Sequence, residues 1–386
     1  MGNQILDGVK IVSLETSVSG PFSSVLLADF GAEVIKIEMP NRGDIARRWD
    51  TVANGQSGYF VNLNRNKKSI ELDLKSSADI EILLNLIREA DVFIENYKPD
   101  AIEKFGLTYE RLSKINSKLI YCGISGYGKD GPYRNEPAYD PLIQAESGLV
   151  SLTGTEKEPA KVGVSVCDLT TGLYSAMAIS LALLNREKTG KGAEIDMSMF
   201  ECAMSLLLPY PMYYWYRGQV PKRRGMKHAI IVPSGAYFTQ DKKYVAFSID
   251  RDDEWKKFCN DVLEHPKLAN DSRFLTNEKR QQNRTEMEIA LDAVFQTGTQ
   301  EKWLSRLKAA KIACSRVNDL SEVVTHPQTL FRKFISEVQT EAGPVKYLGN
   351  PIRIAGFPPL SNPVPSLGQN NDEIRQRVHM KSWHTD

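Results

Sequence analysis

An aspartate set between two apolar stretches is the residue whose type and place could most simply do chemistry. Asp168 stands in VGVSVCDLTTGLYSAMAISLALL, residues 162–184. Val162, Val164 and Val166 precede it. Ala176, Ala178, Ile179, Leu181, Ala182, Leu183 and Leu184 follow, too apolar together for a solvated helix. The pattern predicts a buried helix whose first turn begins at Asp168. Two roles fit that position. An N-cap aspartate accepts the orphan N–H groups of a first turn. A carboxylate can also attack an activated acyl group and carry it as a mixed anhydride or ester, and a helix N-terminus favours its anionic form. The pattern alone leaves both open. The neighbouring Cys167 reads as a small buried residue that ends a strand.

Counting narrows the alternatives. The histidines are His228, His265, His326, His379 and His384, so the first 227 residues hold none. A Ser-His-Asp or Cys-His arrangement inside that stretch is excluded. The sequence has no HExxH, zinc-type Cys/His spacing, EF-hand loop, GxSxG or GxxxxGK[ST], and no metal site is expected. Cys122, Cys167, Cys202, Cys259 and Cys314 are odd in number and form no CxxC. Free thiols in a reducing compartment, most simply the cytoplasm, are expected. A net charge of +1 gives no global field for nucleic acid or a membrane surface. The first residues lack a signal-peptide pattern, and no apolar run reaches ~18 residues without a charge, so neither a leader nor a membrane span is expected.

The elements that must position Asp168 alternate between strand and helix. Val9–Leu14 reads as a strand, Phe22–Phe30 as a helix with Pro21 in its first turn, and Glu33–Glu38 as a second strand. Strands at Ser69–Leu74, Val92–Glu95, Leu119–Ile124 and Ala193–Met199 continue the series. Helices at Ala78–Ala90, Pro99–Phe105 and Tyr109–Ile115 fall between them. The alternation predicts an α/β fold with an open, mostly parallel sheet. Residues 39–68 read as a loop-rich, solvated surface carrying Arg42, Arg47, Arg48, Arg65, Lys67 and Lys68. Gly126, Gly128 and Gly131 match G-x-G-x-x-G after a strand, but Pro132 and Pro137 follow at once. A flexible loop over a site fits better than a dinucleotide fingerprint, which must open a helix. At 386 residues two domains are expected. The basic, turn-rich 217–228 reads as a linker, and 229–325 as a smaller α+β domain with a hairpin across Ser234–Asp250.

Several separate pieces, in order and spacing, resemble the class III coenzyme A transferases, the family of formyl-CoA transferase and carnitine CoA-transferase. They are LDGVKIVSLE…GPFSSVLLADFGAEVIKIE, NRNKKSIELDLK, DVFIENYKPDAIEKFGL, LIYCGISGYGKDGPY, YDPLIQAESG, VCDLTTGLYSAMAISLAL and TGKGAEIDMSMFE. The likeness runs from Leu6 to about Phe357. It implies an enzyme that moves CoA from an acyl-CoA, such as succinyl-CoA, to a carboxylic acid. A coenzyme A thioester would be substrate, with no permanently bound cofactor. Asp168 falls on the family's catalytic aspartate. Asp140 takes the place of a glutamate near that nucleophile, either to position the substrate complex or to hydrogen-bond the backbone.

The resemblance also implies CoA contacts at Val18, Ser19, Leu72, Asn96, Tyr97 and Lys104. Met39 stands where an arginine is expected, with Arg42, Lys67 or Lys98 as candidates to compensate. RRGMKHAIIVPSG replaces a glycine run, which points away from oxalate and toward a small dicarboxylate. His228, with Arg223, Arg224 and Lys227, is then a candidate for a second carboxylate, and Tyr139 for substrate contact. The implied fold is a Rossmann-like large domain from residues 1–216 and 326–386 with the smaller α+β domain between, in an interlocked homodimer. One rival is an α-methylacyl-CoA racemase of the same fold. It needs a histidine just before residue 140, where this chain has Tyr139, and a phenol of pKa near ~10 is a poor base. A nicotinamide-dependent oxidoreductase built on the 126–131 glycines, or a CoA-binding protein in which Asp168 only caps, are the other readings.

Overall fold

The computed structural model describes residues 4–382. They form two compact units, one of residues 4–149, 162–207 and 327–382, the other of residues 150–161 and 208–326. The second unit therefore starts ahead of the linker read at 217–228 and takes in a short excursion after residue 149.

The first unit is built on six strands: β1 (Lys10–Leu14), β2 (Glu33–Glu38), β3 (Lys67–Glu71), β4 (Val92–Glu95), β5 (Ile120–Ser125) and β6 (Ala193–Ser198). Their order is β3-β2-β1-β4-β5-β6, and every neighbouring pair is parallel. The open parallel sheet expected from the sequence is present. Its central strands are apolar on both faces because helices cover both. Val12, Ile35, Phe93 and Tyr121 pack under α2 (Ser77–Arg88), α3 (Pro99–Phe105) and α4 (Tyr109–Ile115). Ile11, Val34, Ile94 and Cys122 pack on the other face against α1 (Ser19–Ala28) and the long helix described next. The strand order reverses between β1 and β4, the place where open α/β sheets bind ligands at their carboxyl ends.

The helix after α5 (Asp140–Glu146) is α6, Val166–Thr189, followed by β6 and α7 (Met199–Ser205). It begins two residues before the expected start. Ser165 is its N-cap and makes no side-chain cap bond, so Asp168 is the third helical residue and not the cap. Cys167 is buried in the first turn rather than at a strand end. By length and composition α6 is apolar enough to cross a membrane, which the sequence reading did not anticipate. In this fold it packs on α1 and the sheet. Gly172 makes that packing close: a Cβ there would stand 2.8 Å from the Ser19 carbonyl oxygen and 3.1 Å from Phe22 Cβ.

Residues 39–68 are not simply a solvated loop. They hold the helix Gly58–Asn64, N-capped by Ser57, and Arg65 and Lys67 are both buried. Arg65 pairs with Asp29 at 2.5 Å. β3 is an edge strand, and its outer N–H groups are occupied from far along the chain. Ser69 N–H donates to Asn370 Oδ1 at 3.0 Å and Glu71 N–H to Asn371 Oδ1 at 2.8 Å.

The second unit contains the expected hairpin, β7 (Ser234–Phe238) and β8 (Tyr244–Ser248), extended by β9 (Cys314–Arg316) into an antiparallel sheet. Trp255, Phe258, Phe295 and Trp303 form its aromatic core with Tyr237 and Phe247.

Candidate active site

After β1 the chain turns through Glu15, Thr16, Ser17 and Val18 into α1. This turn rests on buried charge. Glu15 accepts from Lys67 Nζ at 2.8 Å and from Ser24 Oγ at 2.6 Å. Lys36 donates to the Glu15 carbonyl oxygen at 3.0 Å and pairs with Asp44 at 2.9 Å. Burial works against charge on both lysines. Asp44 and Glu15 overcome it for Lys36, whose pKa is raised, while Lys67 is pushed down to about 8. Asp44 is buried too, yet Lys36 and the N–H groups of Ser17 and Ala46 hold its carboxyl below the ordinary range.

Ser17 has φ +69°, a left-handed backbone that costs roughly 1–2 kcal/mol for a residue with a Cβ. Two side chains hold it. Asp44 Oδ1 accepts from Thr16 Oγ1 at 2.8 Å and from Ser17 N–H at 2.9 Å. Asn96, one residue past β4, accepts from Thr16 N–H at 2.9 Å and donates to Thr16 O at 2.8 Å. Its Nδ2 also reaches Ser19 Oγ at 3.4 Å.

A cavity of about 150 Å³ opens here, at the switch point of the sheet. Ser17 and Ser19 line it from the end of β1, Asn96 and Tyr97 from β4, and Tyr139 and Asp168 from beyond β5. Asp168 is partly buried. Burial, and then the negative charge of Asp140, push its pKa up to about 7, while the hydroxyl and N–H of Ser19 face the carboxylate and offset part of the rise. Asp140 supplies what the α6 N-terminus lacks locally: its Oδ2 accepts the Cys167 N–H at 2.8 Å. Its Oδ1 accepts Gln144 Nε2 at 2.6 Å, and Gln144 Oε1 in turn accepts the Val162 N–H at 2.7 Å. The arrangement gives a carboxylate with raised basicity, the Ser19 donors facing it and space in front of it. That is a nucleophile's setting.

The other residues singled out by sequence divide into two groups. Ser19, Asn96, Tyr97 and Tyr139 join Asp168 at the cavity. Val18 and Leu72 are buried in the unit's interior, Leu72 within the apolar core under α2. Lys104 is exposed on α3 and pairs with Asp100. Lys67 is engaged by Glu15, so it is not available to a phosphate, whereas Lys98 lines the cavity and donates to the Asn135 carbonyl oxygen at 3.2 Å. His228 lies in the second unit, where its Nδ1 accepts the Ile230 and Ile231 N–H groups. There Arg223 donates to the Thr155 carbonyl oxygen, Arg224 pairs with Glu156 and Lys227 with Asp292. Among the described residues no cluster of His, Cys, Asp and Glu could hold a metal ion. The glycines at 126–131 open no helix.

Residues supporting the site that sequence reasoning missed are Asp44 and Gln144, and a further buried carboxylate outside the cavity is Glu95. Glu95 is buried under Tyr121, and burial pushes it up to about 8. No local pattern marks them, because each has its meaning through partners far along the chain.

Residues 6–371 match the family described as CoA-transferase family III. The chain belongs to that family. Among its class III CoA-transferase relatives, an acetyl-CoA:oxalate CoA-transferase of Acetobacter aceti is 36% identical, over 96% of this chain and 95% of its own. A succinyl-CoA:glutarate CoA-transferase of Mus musculus is 36% identical, over 97% of this chain and 86% of its own. The crystal structure of a CAIB/BAIF family protein from Brucella suis superposes with a TM-score of 0.86 at 36% identity, covering 98% of this chain and all of that one. The cavity at the β1/β4 switch point thus belongs to a class III CoA-transferase, an enzyme that moves CoA between an acyl-CoA and a carboxylic acid.

Proposed function

We propose that the enzyme moves CoA from an acyl-CoA such as succinyl-CoA to a small dicarboxylate through a covalent intermediate on Asp168. The observation that carries this reading is Asp168 itself, lining the switch-point cavity with the Ser19 donors facing it. One carboxylate oxygen attacks the thioester carbonyl, the C–S bond breaks, and a mixed anhydride and CoA thiolate form. The thiolate attacks the aspartyl carbonyl, releasing the donor acid and leaving an aspartyl–CoA thioester. The acceptor carboxylate attacks that thioester and regenerates anhydride and thiolate. Attack of the thiolate on the acceptor's acyl carbon gives the new acyl-CoA and free Asp168. Thioester and anhydride are comparably activated, so no external energy source enters. Donors fixed around Asp168 serve each tetrahedral oxyanion in turn.

Relatives acting on glutarate and oxalate support a dicarboxylate acceptor. Lys98, at the cavity, is suited to the substrate's anionic groups, while Arg134, also at the cavity, is paired with Glu103. A homodimer fits the surface of α6, where Leu173, Met177, Leu181 and Leu184 form an exposed apolar stripe. The deciding experiment mixes protein and succinyl-CoA with oxalate, glutarate, mesaconate, citramalate, itaconate, acetate or carnitine, and reads new thioesters by mass spectrometry. Transfer to one acid, lost in Asp168→Ala, is expected, with hydroxylamine trapping label at Asp168 during turnover. An Asp168→Ala enzyme as active as wild type refutes the covalent mechanism.

A further inference from the structure

We propose that Asp44, which does not line the cavity, is a positioning residue of the transfer: through the Thr16–Ser17 turn it fixes where Ser19 stands against Asp168. The inference rests on Asp168 being the nucleophile. Its geometry is specific. One oxygen of Asp44 collects three donors, Thr16 Oγ1 at 2.8 Å, Ser17 N–H at 2.9 Å and Ala46 N–H at 2.9 Å. The other oxygen meets Lys36 Nζ at 2.9 Å. Lys36 also faces Glu15 and Glu38, so the charge around Asp44 is shared by a buried set. The turn it grips contains the left-handed Ser17, two residues before Ser19. From the opposite side Asn96 spends its whole carboxamide on Thr16 and Ser19. Ser19 is thus delivered to Asp168 by a backbone clamped on both sides, and the grip farthest from substrate is Asp44.

Two substitutions separate this role from plain stability. Asp44→Ala and Asp44→Asn both remove the charge opposite Lys36. Only alanine removes the oxygen that Thr16 and Ser17 use. The expected result is a kcat about 30-fold lower for Asp44→Ala and within about 3-fold of wild type for Asp44→Asn. That range is set by the roughly 100-fold penalty of an ångström's misplacement. KM for the acyl-CoA should stay within about 2-fold in Asp44→Asn and change less than kcat in Asp44→Ala, since Asp44 does not itself touch substrate but Ser17 and Ser19 beside it line the cavity. The acid limb of the Asp44→Ala profile should also move to higher pH, because Asp168 loses the donors that favour its charge. Circular dichroism and melting curves confirm that both proteins are folded. If Asp44→Ala does not fold, Thr16→Val takes its place, deleting the 2.8 Å bond while keeping the Lys36 pair. Equal kcat in the alanine and asparagine enzymes, or an unshifted Thr16→Val enzyme, overturns the proposal while leaving the transferase reading intact. A wild type without covalent turnover at Asp168 overturns both.

Discussion

Replacing Asp140 by asparagine tests how the site sets the basicity of its carboxylate. Asp140 has two jobs: an oxygen accepts the Cys167 N–H at 2.8 Å, and its charge, second to burial, lifts Asp168 to about 7. Asparagine keeps an acceptor for the Cys167 N–H and deletes the charge, at the cost of the bond from Gln144 Nε2. If the charge carries on the order of one pKa unit, worth ~1.4 kcal/mol, the Asp168 pKa falls to about 6. The ionised fraction at pH 6 then rises from roughly a tenth to a half. A pH series of kcat/KM for CoA transfer, which reports the free enzyme, should show the acid limb displaced downward by about a unit. The ratio of variant to wild-type activity should be about 5-fold larger at pH 6 than at pH 9. At high pH the variant should be the slower enzyme, since its carboxylate is the weaker nucleophile. An acid limb that stays put, or moves upward, refutes the argument that Asp140 acts on Asp168 through its charge.

Three further outcomes are expected. Asp168 has a higher pKa folded than unfolded, so stability rises as pH falls from above 7 toward the unfolded value near ~4; Asp168→Asn should melt about 4 °C above wild type at pH 8, the gap closing near pH ~4. Lys36→Met leaves Asp44 and Glu15 buried with less compensation, and should lower unfolding free energy by about 3–5 kcal/mol in urea titrations. Gly172→Ala puts a methyl 2.8 Å from the Ser19 carbonyl oxygen and should cut kcat at least about 10-fold. Circular dichroism should meanwhile report a folded protein, and a fully active Gly172→Ala enzyme would show that the spacing of α1 and α6 does not matter to turnover.

Much of the sheet was legible because its signals are local. β2 and β4 fall on the residues expected, as do α3 and α4, each an apolar run or a 3.6-residue pattern bounded by turn residues or proline. The start of α6 was not legible, because its N-cap Ser165 makes no side-chain cap bond and the carboxylate that accepts its first-turn Cys167 N–H is Asp140, 27 residues earlier. The buried cations of 65–68 were read as surface for the same reason. Lys67 finds Glu15 52 residues away, and Arg65 finds Asp29 36 residues away. Cap and nucleophile at Asp168 could not be told apart from the pattern, since an aspartate at a helix start reads alike in either role; the structure places it third in the helix, after the cap at Ser165.

The two asparagines on the β3 edge set a schedule as well as a contact. Ser69 and Asn370 are 301 residues apart, Glu71 and Asn371 300. A ribosome adding ~5–20 residues per second needs roughly 15–60 s to travel that far. Once β6 ends at Ser198, and for the rest of that interval, the sheet can be assembled while its outermost strand still offers bare N–H groups, the template on which a second nascent chain would add. A ribosome stalled between Ser198 and Asn370 would hold a nearly complete sheet with one sticky side.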